Sequence, residues 1–406
     1  MADRVYQIAF NDETVDEAFY GDVMSLTIEE STATASTLRL QLTTTLQDDG
    51  SWLYLEDDRL ALFTKVSIKL GFMGGAGLAG ELGGLTSGGN EGLEPVFDGY
   101  ITAVHVSLEG QPCSGNIEVS GMDTSILMSL EEKITTWKNM ADSDIVQQIL
   151  SNYGVQVQVD STPTVHQEND TTIVQRGTDI QFVRDLAQRN GMEFYFETDK
   201  ESGKVIAYFR APQLTGTPQP DLAIQFEEES NLRSFSARLS GQRPLNVKTQ
   251  QLDVKANSPN TAQSNDTQLT KLGDKDANTL IGGPLESLVI PKEAQAQMLV
   301  LGPPTSDATE LHTLVQAVRD EASWLIVAQG EINSDAYQRV LRPHRLVLVK
   351  GAGTPYNGKY YVTSVVHELR GVGSYLQRFE VRRNACDPDG SEELGASALG
   401  LPIPGV

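Results

Sequence analysis

The sequence contains little cysteine and no long apolar run. Its two cysteines, Cys113 and Cys386, belong to no Cys-x-x-Cys pair, which excludes the disulfide framework of small secreted domains. No apolar run approaches the roughly 18 residues of a membrane span, and the start MADRVYQIAFNDE lacks the layout of a signal peptide. We therefore expect a protein of a reducing compartment that neither inserts into a membrane by itself nor leaves by the ordinary secretory route.

Basic residues are scarce as well. Acidic side chains number 55 against 31 basic ones, which gives a formal net charge of −24. Nucleic-acid binding relies on neutralising phosphates with Lys and Arg, so specific nucleic-acid binding is not expected. The acidic charge serves solubility, or it lines a passage for anionic cargo, and the composition leaves both interpretations open.

Motifs for phosphate, metal or hydrolytic chemistry are missing or lack their structural context. No P-loop motif occurs, and the string Gly75-x-Gly77-x-x-Gly80 lies in a glycine-rich run that cannot open the helix of a dinucleotide site. Acidic pairs such as Glu131 and Glu132 resemble solvated turns more than a glycosidase acid and base. Five scattered histidines form no metal motif: His105, His166, His312, His344 and His367. We predict no catalytic residue, no cofactor and no metal.

Strand patterns dominate residues 1–136. Runs such as SLTIEE, TLRLQLTTTL and KVSIKL alternate apolar and polar side chains between turns rich in Asp, Gly and Ser, which is typical of antiparallel sheets. The glycine-rich run 72–92 has no periodicity and is interpreted as a long flexible insertion. Residues 1–136 are therefore predicted to form a first β domain.

Helix and strand patterns alternate over residues 137–245. ADSDIVQQILSNYG offers Asp142 or Ser143 as an N-cap and Gly154 as the end of a helix, and the strand VQVQVD follows. The same plan recurs in GTDIQFVRDLAQRNGMEFYFETD, which has capping-box spacing from Thr178. Two helix-glycine-strand units are predicted in this α+β region.

The rest of the chain is predicted as an arm, a second β domain and a tail. Residues 246–285 are polar and nearly free of aromatics, which is typical of a linker or mobile arm. Residues 286–385 return to strands and form a second β domain, which includes a long helix over about 308–329. Residues 386–406 form a C-terminal tail.

The two β domains repeat one series of strands. KVSIKLG, FDGYITAVHV and NIEVSGMD in the first correspond to HRLVLVKGAG, NGKYYVTSVVHEL and LQRFEVRRNA in the second. Order and turn chemistry agree, which favours duplication, although short strands also resemble one another by chance. Aligning Tyr100 with Tyr361 places His105 opposite Val366, so His105 and His367 lie on opposite faces and are interpreted as ordinary strand histidines. Three chains would present six similar units to a six-fold partner.

Several segments resemble the hub family of contractile phage tails and related injection machines, the phage late-control D and VgrG group: FDGYITAVHV, WKNMADSDIVQQILSNYGVQVQVD, TIVQRGTDIQFVRDLAQRNGMEFYFE and RPHRLVLVKGAG. The resemblance covers most of residues 1–384 and is most specific in QRGTDIQFVRDLAQRNGMEFYFE. Gly177 and Thr178 stand where many members have Glu and Ser. The chain stops at DPDGSEELGASALGLPIPGV, without the needle domain of VgrG-type members, so the needle is expected to be a separate polypeptide.

With the repeat, the resemblance implies a β-rich α+β fold with two similar β-barrel-like tube domains and an intervening helix and strand region. It implies a structural baseplate hub, a homotrimer with pseudo-six-fold symmetry that joins a hexameric inner tube protein to a separate trimeric spike and contacts baseplate wedge proteins. Such a hub is assembled in the bacterial cytoplasm and becomes part of a virion tail or injection particle. A cell-wall hydrolase or effector of the same machine, and a carbohydrate-binding tail-tip protein, are the alternatives.

One strand carries candidate subunit-interface residues. In EFYFET, Phe194 and Phe196 alternate with Glu193, Tyr195 and Glu197, so one face is apolar and the other amphipathic. The amphipathic face meets either solvent or a neighbouring subunit, where tyrosine is common because its ring buries area while its hydroxyl stays hydrogen-bonded. These three residues of the amphipathic face are the predicted subunit-interface residues.

Overall fold

The computed structural model describes residues 4–72, 92–110, 114–168, 172–226, 229–253, 257–286, 297–300, 308–371 and 374–392. The glycine-rich insertion, with its Gly-x-Gly-x-x-Gly string, and most of the C-terminal tail lie outside these residues. Among the residues described, no helix is both long and apolar enough to cross a membrane.

The first β unit spans residues 4–123 and follows the predicted alternation. In TLRLQLTTT the side chains of Leu38, Leu40 and Leu42 are buried while their neighbours are not, because successive side chains of a strand point to opposite faces. They join one apolar core with residues of the other strands. The elements are β1 (Arg4–Phe10), β2 (Glu13–Thr14), α1 (Glu17–Gly21), β3 (Val23–Ser31), β4 (Thr37–Thr45), β5 (Lys65–Phe72), β6 (Glu94–Leu108) and β7 (Ser114–Asp123).

A middle region follows, in which two helices pack on a three-stranded sheet around a separate apolar core. Its elements are β8 (Glu132–Trp137), β9 (Met140–Ala141), α2 (Asp142–Leu150), β10 (Gln156–Val159), β11 (Val165–His166), β12 (Ile173–Thr178), α3 (Asp179–Arg189), β13 (Glu193–Thr198) and β14 (Val205–Arg210). Both predicted helix-glycine-strand units are present, and Gly154 and Gly191 have φ values of 67° and 66°. This left-handed conformation favours glycine and ends each helix.

The capping prediction is confirmed for one of these helices. Thr178 Oγ1 accepts from the N–H of Gln181, and Gln181 Oε1 accepts from the N–H of Thr178, which is a capping box. For α2 the prediction was wrong, since the N-cap is Ala141. Asp142 is the first helical residue, and its carboxylate binds His166 and Arg189 instead.

The second β unit spans residues 219–383, with an insertion between residues 239 and 326. The elements of this part are β15 (Gln219–Ala223), β16 (Leu232–Leu239), β17 (Asn246–Asp253), β18 (Ser258–Ser264), β19 (Lys275–Asp276), α4 (Gly283–Glu286), β20 (Gln297–Leu299), α5 (Ala308–Ala322), β21 (Ile326–Ile332), α6 (Ser334–Tyr337), β22 (Leu346–Lys350), β23 (Gly358–Arg370), β24 (Ser374–Arg383) and β25 (Ala385–Cys386). The unit has its own apolar core.

The two β units use six strands in the same chain order and the same sheet order. The sheet order is β1-β5-β6-β7-β4-β3 in the first and β15-β22-β23-β24-β21-β16 in the second. The units differ at one end, because β1 is antiparallel to β5 whereas β15 is parallel to β22. The predicted β-rich α+β fold, with two similar β units and an intervening helix and strand region, is confirmed.

The strand registers of the two units also agree. Tyr100 lies opposite Met122, and Tyr361 lies opposite Arg382, as the alignment of the two tyrosines requires. Both central strands then bulge by one residue, at Thr102 and at Thr363. Each threonine hydroxyl donates to a carbonyl of the neighbouring strand at 3.2 Å. A bulge with the same side-chain bond at the same position supports duplication of one unit.

The long helix predicted over about 308–329 ends earlier, at Ala322. Ser323 Oγ donates to the carbonyl of Asp320 at 2.6 Å and closes the last turn. Residues 326–332 form β21 between β16 and β24. The helical apolar periodicity continued by chance into a segment that starts with the strand-favouring pair Ile326 and Val327.

The predicted linker at 246–285 was also wrong, because most of it is ordered. β17 and β18 form an antiparallel hairpin that packs beside α5. Ser264 Oγ donates to Gln316 Oε1 of α5 at 2.8 Å, and Gln316 Nε2 donates to the carbonyl of Asp266 at 3.0 Å. Polar hydrogen bonds hold this hairpin, so it lacks the apolar pattern by which sequence predicts structure.

Two predicted domain boundaries differ from the structure. β8, placed in the first domain, pairs with β12 of the middle region. The second unit begins at β15, well before residue 286, because β15 pairs with β22 and β16 pairs with β21. Such pairings join segments far apart in the chain, and the local pattern does not reveal them.

Candidate functional site

The two β units meet along one pair of strands, here termed the unit joint. β3 pairs antiparallel with β23 from Ser25 opposite Arg370 to Ser31 opposite Ser364. β22 pairs with the same edge of β23 only as far as Tyr361, so β3 continues where β22 stops. One sheet of 13 strands therefore runs through both units in the described part of the chain.

A buried polar network crosses the unit joint. Arg342 donates from Nη2 to Glu30 Oε1 at 2.8 Å and from Nε to Glu30 Oε2 at 3.1 Å, and both residues are 5% exposed. His367 is fully buried, with Nε2 3.2 Å from Glu30 Oε2 and Nδ1 2.8 Å from the hydroxyl of Tyr375. Buried charges are rare unless they are paired, and this pairing makes the contact between the units specific.

Burial and pairing set the protonation states in this network. Burial acts to raise the pKa of Glu30, but Arg342 and His367 outweigh it, and the pKa lies below the ordinary value of 4.5. Burial lowers the pKa of His367 below its ordinary 6.5, although the carboxylate of Glu30 opposes this. Glu30 is therefore ionised and His367 neutral near pH 7, with one imidazole nitrogen donating to Glu30 and the other accepting from Tyr375.

Acid is expected to weaken the folded protein in two steps. Below about pH 6.5 the unfolded chain protonates His367 while the folded chain resists, and below about pH 4.5 the same holds for Glu30. The unfolded state binds more protons in both windows, so the free energy of unfolding falls as pH falls. Denaturation midpoints from pH 7 to 5 test the first step, which His367→Gln should flatten. An unchanged slope in this variant would contradict the assignment.

The predicted interface residues of β13 lie against the second unit of the same chain. Glu193 Oε2 accepts from the hydroxyl of Tyr361 at 2.7 Å and lies 2.8 Å from His344 Nδ1. The ring of Tyr195 stacks on His344 with centroids 3.4 Å apart, and Glu197 accepts from Arg345.

These contacts explain within one chain why the amphipathic face of β13 is covered. Tyr195 is 6% exposed, and burial raises the pKa of its hydroxyl. Arg210 donates to that hydroxyl and lies over the ring of Tyr208, 4.2 Å from its centroid. Contact of Tyr195, Glu193 and Glu197 with a neighbouring subunit stays a prediction, whereas their contact with the second unit is direct.

The remaining candidates for chemistry are not brought together. Within the described residues, no cluster of three or more His, Cys, Asp or Glu could hold a metal ion. His166 is buried in the middle region with Nε2 2.9 Å from Asp142 Oδ1, whereas His367 lies at the unit joint. Glu131 of the acidic pair noted in the sequence is exposed beside Lys133.

Sequence reasoning missed the network, although two of its members carry a signal. Leu26, Ile28 and Glu30 alternate on the inward face of β3, and His367 occupies an inward position of β23. A polar residue at an inward position of an alternating strand indicates a buried hydrogen-bonded group. Arg342 lies between α6 and β22 and has no comparable signal.

Two further strand edges are equivalent to those of the unit joint. Beyond Ile101, the free edge of β6 corresponds to the edge of β23 that pairs with β3. The outer edge of β16 corresponds to the edge of β3 that pairs with β23. Among the described residues, no strand pairs with either edge. Unpaired edges expose N–H and C=O groups and favour pairing with another chain.

Comparisons with known proteins agree with this fold. Residues 80–371 match the model of the family described as Alg8 N-terminal domain. The 43 kDa tail protein of prophage MuSo2 from Shewanella oneidensis is similar over 95% of this chain and 100% of that chain, with 14% identity and a TM-score of 0.59. For the tail protein of Neisseria meningitidis MC58 the coverages are 94% and 97%, the identity is 10% and the TM-score is 0.59.

A protein of E. coli, c3393, described as a component of the type VI secretion system, is similar over 98% of this chain and 80% of that chain, with 14% identity and a TM-score of 0.53. No curated protein matches the chain in sequence. The structural likenesses confirm, at the level of the fold, the predicted resemblance to phage tail and injection-machine proteins.

Proposed function

We propose that this chain, which belongs to the Alg8 N-terminal domain family, is the structural baseplate hub of a contractile phage tail or a phage-tail-like injection machine, because it folds like phage tail proteins. In this role it forms a homotrimer that joins the hexameric inner tube to a separate trimeric spike and contacts baseplate wedge proteins. The assembled hub belongs to a virion tail or an injection particle.

One observation carries this proposal, namely that two β units with matching registers are joined edge to edge in a single sheet. A heterologous contact that repeats around an axis closes into a ring when its rotations add up to a full turn. Three chains with two units each present six similar units, which suits a six-fold tube on one side and a three-fold spike on the other.

The test is the stoichiometry and position of the full-length chain. Native mass spectrometry of the purified chain is expected to give three copies, and cryo-electron microscopy with its co-purifying tube and spike proteins is expected to show a ring between them with an axial channel. A stable monomer with an aromatic-lined sugar pocket would instead support the carbohydrate-binding alternative.

The proposal gives the chain no catalytic role. Its function depends on the shape of the assembly, so the purified protein is expected to leave peptidoglycan intact. Release of soluble fragments from purified cell walls would contradict this and favour the hydrolase alternative.

A further inference from the structure

We propose that neighbouring subunits join through β16 of one chain and β6 of the next, paired antiparallel with Val106 opposite the partner's Ala237. This inference rests on the proposed trimer and adds which two edges meet, in which register and by what chemistry. The occupant of each edge is a second copy of this chain, because the fold already contains a joint of the same kind between its own two units.

The β6 side of the register follows from the two bulges. Thr102 and Thr363 occupy the same position in β6 and β23. Counting along each strand from the bulge, Val106 takes the place of His367. The edge beyond the bulge is filled by β3 in the second unit and is unpaired in the first among the described residues.

The β16 side follows in the same way. β3 bulges between Val23 and Ser25, and β16 bulges at the corresponding place. Counting from the bulge, Ala237 of β16 takes the place of Ile28 of β3. Ile28 lies opposite His367 in the unit joint. The equivalent pairing therefore places Ala237 opposite Val106, the β6 residue that corresponds to His367.

Side-chain exposure differs between the paired edge of β23 and the unpaired edge of β6. Three inward side chains of β23 are at most 8% exposed: Val365, His367 and Leu369. Their equivalents on β6 are 37% to 44% exposed: Val104, Val106 and Leu108. Leu239 of β16, which takes the place of the buried Glu30, is 42% exposed. Four apolar side chains on two edges therefore lack the cover that their equivalents receive from a paired strand.

The surface beside the free edge of β6 carries apolar side chains among acidic ones. A groove of about 410 Å³ lies there, and its lining includes Leu55, Leu62 and Val104 together with the carboxylates of Glu56, Asp57 and Asp58. A strand added to β6 would close this groove and bury both rows of apolar side chains, which is the main driving force for association.

The two joints differ in chemistry. Phe63 and His344 are equivalent, because both have positive φ and both donate their N–H to the residue just before the bulge. Two positions earlier, Ala61 therefore takes the place of Arg342. The network residues thus have apolar counterparts: Leu239 for Glu30, Val106 for His367 and Ala61 for Arg342.

This difference makes each edge select its own partner. If β3 of a neighbour paired with β6, the carboxylate of Glu30 would be buried without a cation, which proteins avoid. If β16 took the place of β3, Arg342 and His367 would lose their carboxylate. The polar joint therefore forms within the chain and the apolar joint between chains, so that the six units alternate around the ring.

Paired cysteines test the register in the full-length chain carrying Cys113→Ser, with Cys386 left buried. The double variant V106C/A237C is treated with a short bifunctional thiol reagent, which spans directly opposite residues of an antiparallel pair. The yield of covalent trimer is expected to be about tenfold or more higher than in V106C/S236C and V106C/R238C, whose second cysteine is shifted by one residue. Such a shift moves the side chain to the other face of the strand.

The outcomes separate this register from the trimer itself. A native trimer in which V106C/A237C is the efficient pair supports the proposal. A native trimer that cross-links no better in this pair than in the slipped pairs overturns the register and leaves the hub proposal standing. A chain that is monomeric by native mass spectrometry overturns both.

Discussion

Replacing Arg342 with methionine is expected to lower the free energy of unfolding by about 3–5 kcal/mol, the typical cost of breaking a buried ion pair from one side. Arg342 supplies the only guanidinium bonded to Glu30 in the described part of the chain, and it also donates to the carbonyl of Pro95. Without it, the carboxylate must stay buried beside neutral His367 or take up a proton. Chemical denaturation at fixed protein concentration measures the loss.

Arg345→Met is the matched control, because Arg345 also binds a carboxylate, that of Glu197, but its side chain is 46% exposed. Exposed ion pairs contribute at most about 1 kcal/mol, so this variant should stay near the parent. The double variant R342M/E30L should recover much of the loss, since removing both partners leaves no unpaired charge. Equal losses in R342M and R345M would show that the network does not hold the units together.

Local patterns predicted most strands and helices because local chemistry decides them. The alternation in TLRLQLTTT predicted the buried face of β4, and the capping box at Thr178 followed by Gly191 predicted α3. The repeat of two strand series was also readable, because turn residues and strand residues kept their order through both copies.

Features that depend on contacts between distant segments could not be read in this way. The hairpin of β17 and β18 is polar and gains its order from α5 through Ser264 and Gln316. Glu30 and His367 lie 337 positions apart and meet because β3 and β23 pair. A polar residue on an inward strand face shows that it needs a hydrogen-bond partner. Only the folded structure identifies that partner of Glu30 as Arg342.

The predicted interface residues show the same division. Alternation in EFYFET left open whether the face with Glu193 and Tyr195 meets solvent or a neighbouring subunit. Which surface covers it depends on the placement of β13 against His344 and Tyr361. The free edges of β6 and β16, which our proposal assigns to subunit contact, are identified only by the registers of the two units.

Val106→Asp is expected to leave the chain folded and to abolish the trimer. Val106 is 38% exposed on a free strand edge, so a carboxylate there is hydrated in the single chain. At the proposed joint it would be buried opposite an alanine with no cation. An unpaired buried charge costs about 3 kcal/mol or more, which weakens association about a hundredfold at each of the three joints of a ring.

Val174→Asp is the matched control for this prediction, because Val174 is 41% exposed but lies on β12 of the middle region, away from both free edges. Circular dichroism should give the folded spectrum for both variants, while native mass spectrometry should give monomer for V106D and trimer for V174D. Unfolding would also abolish the trimer. A folded spectrum for V106D therefore shows that the trimer is lost because the subunit joint is disrupted. A V106D chain that still forms trimers would place the subunit contact elsewhere, with the internal joint of Glu30 and Arg342 unaffected.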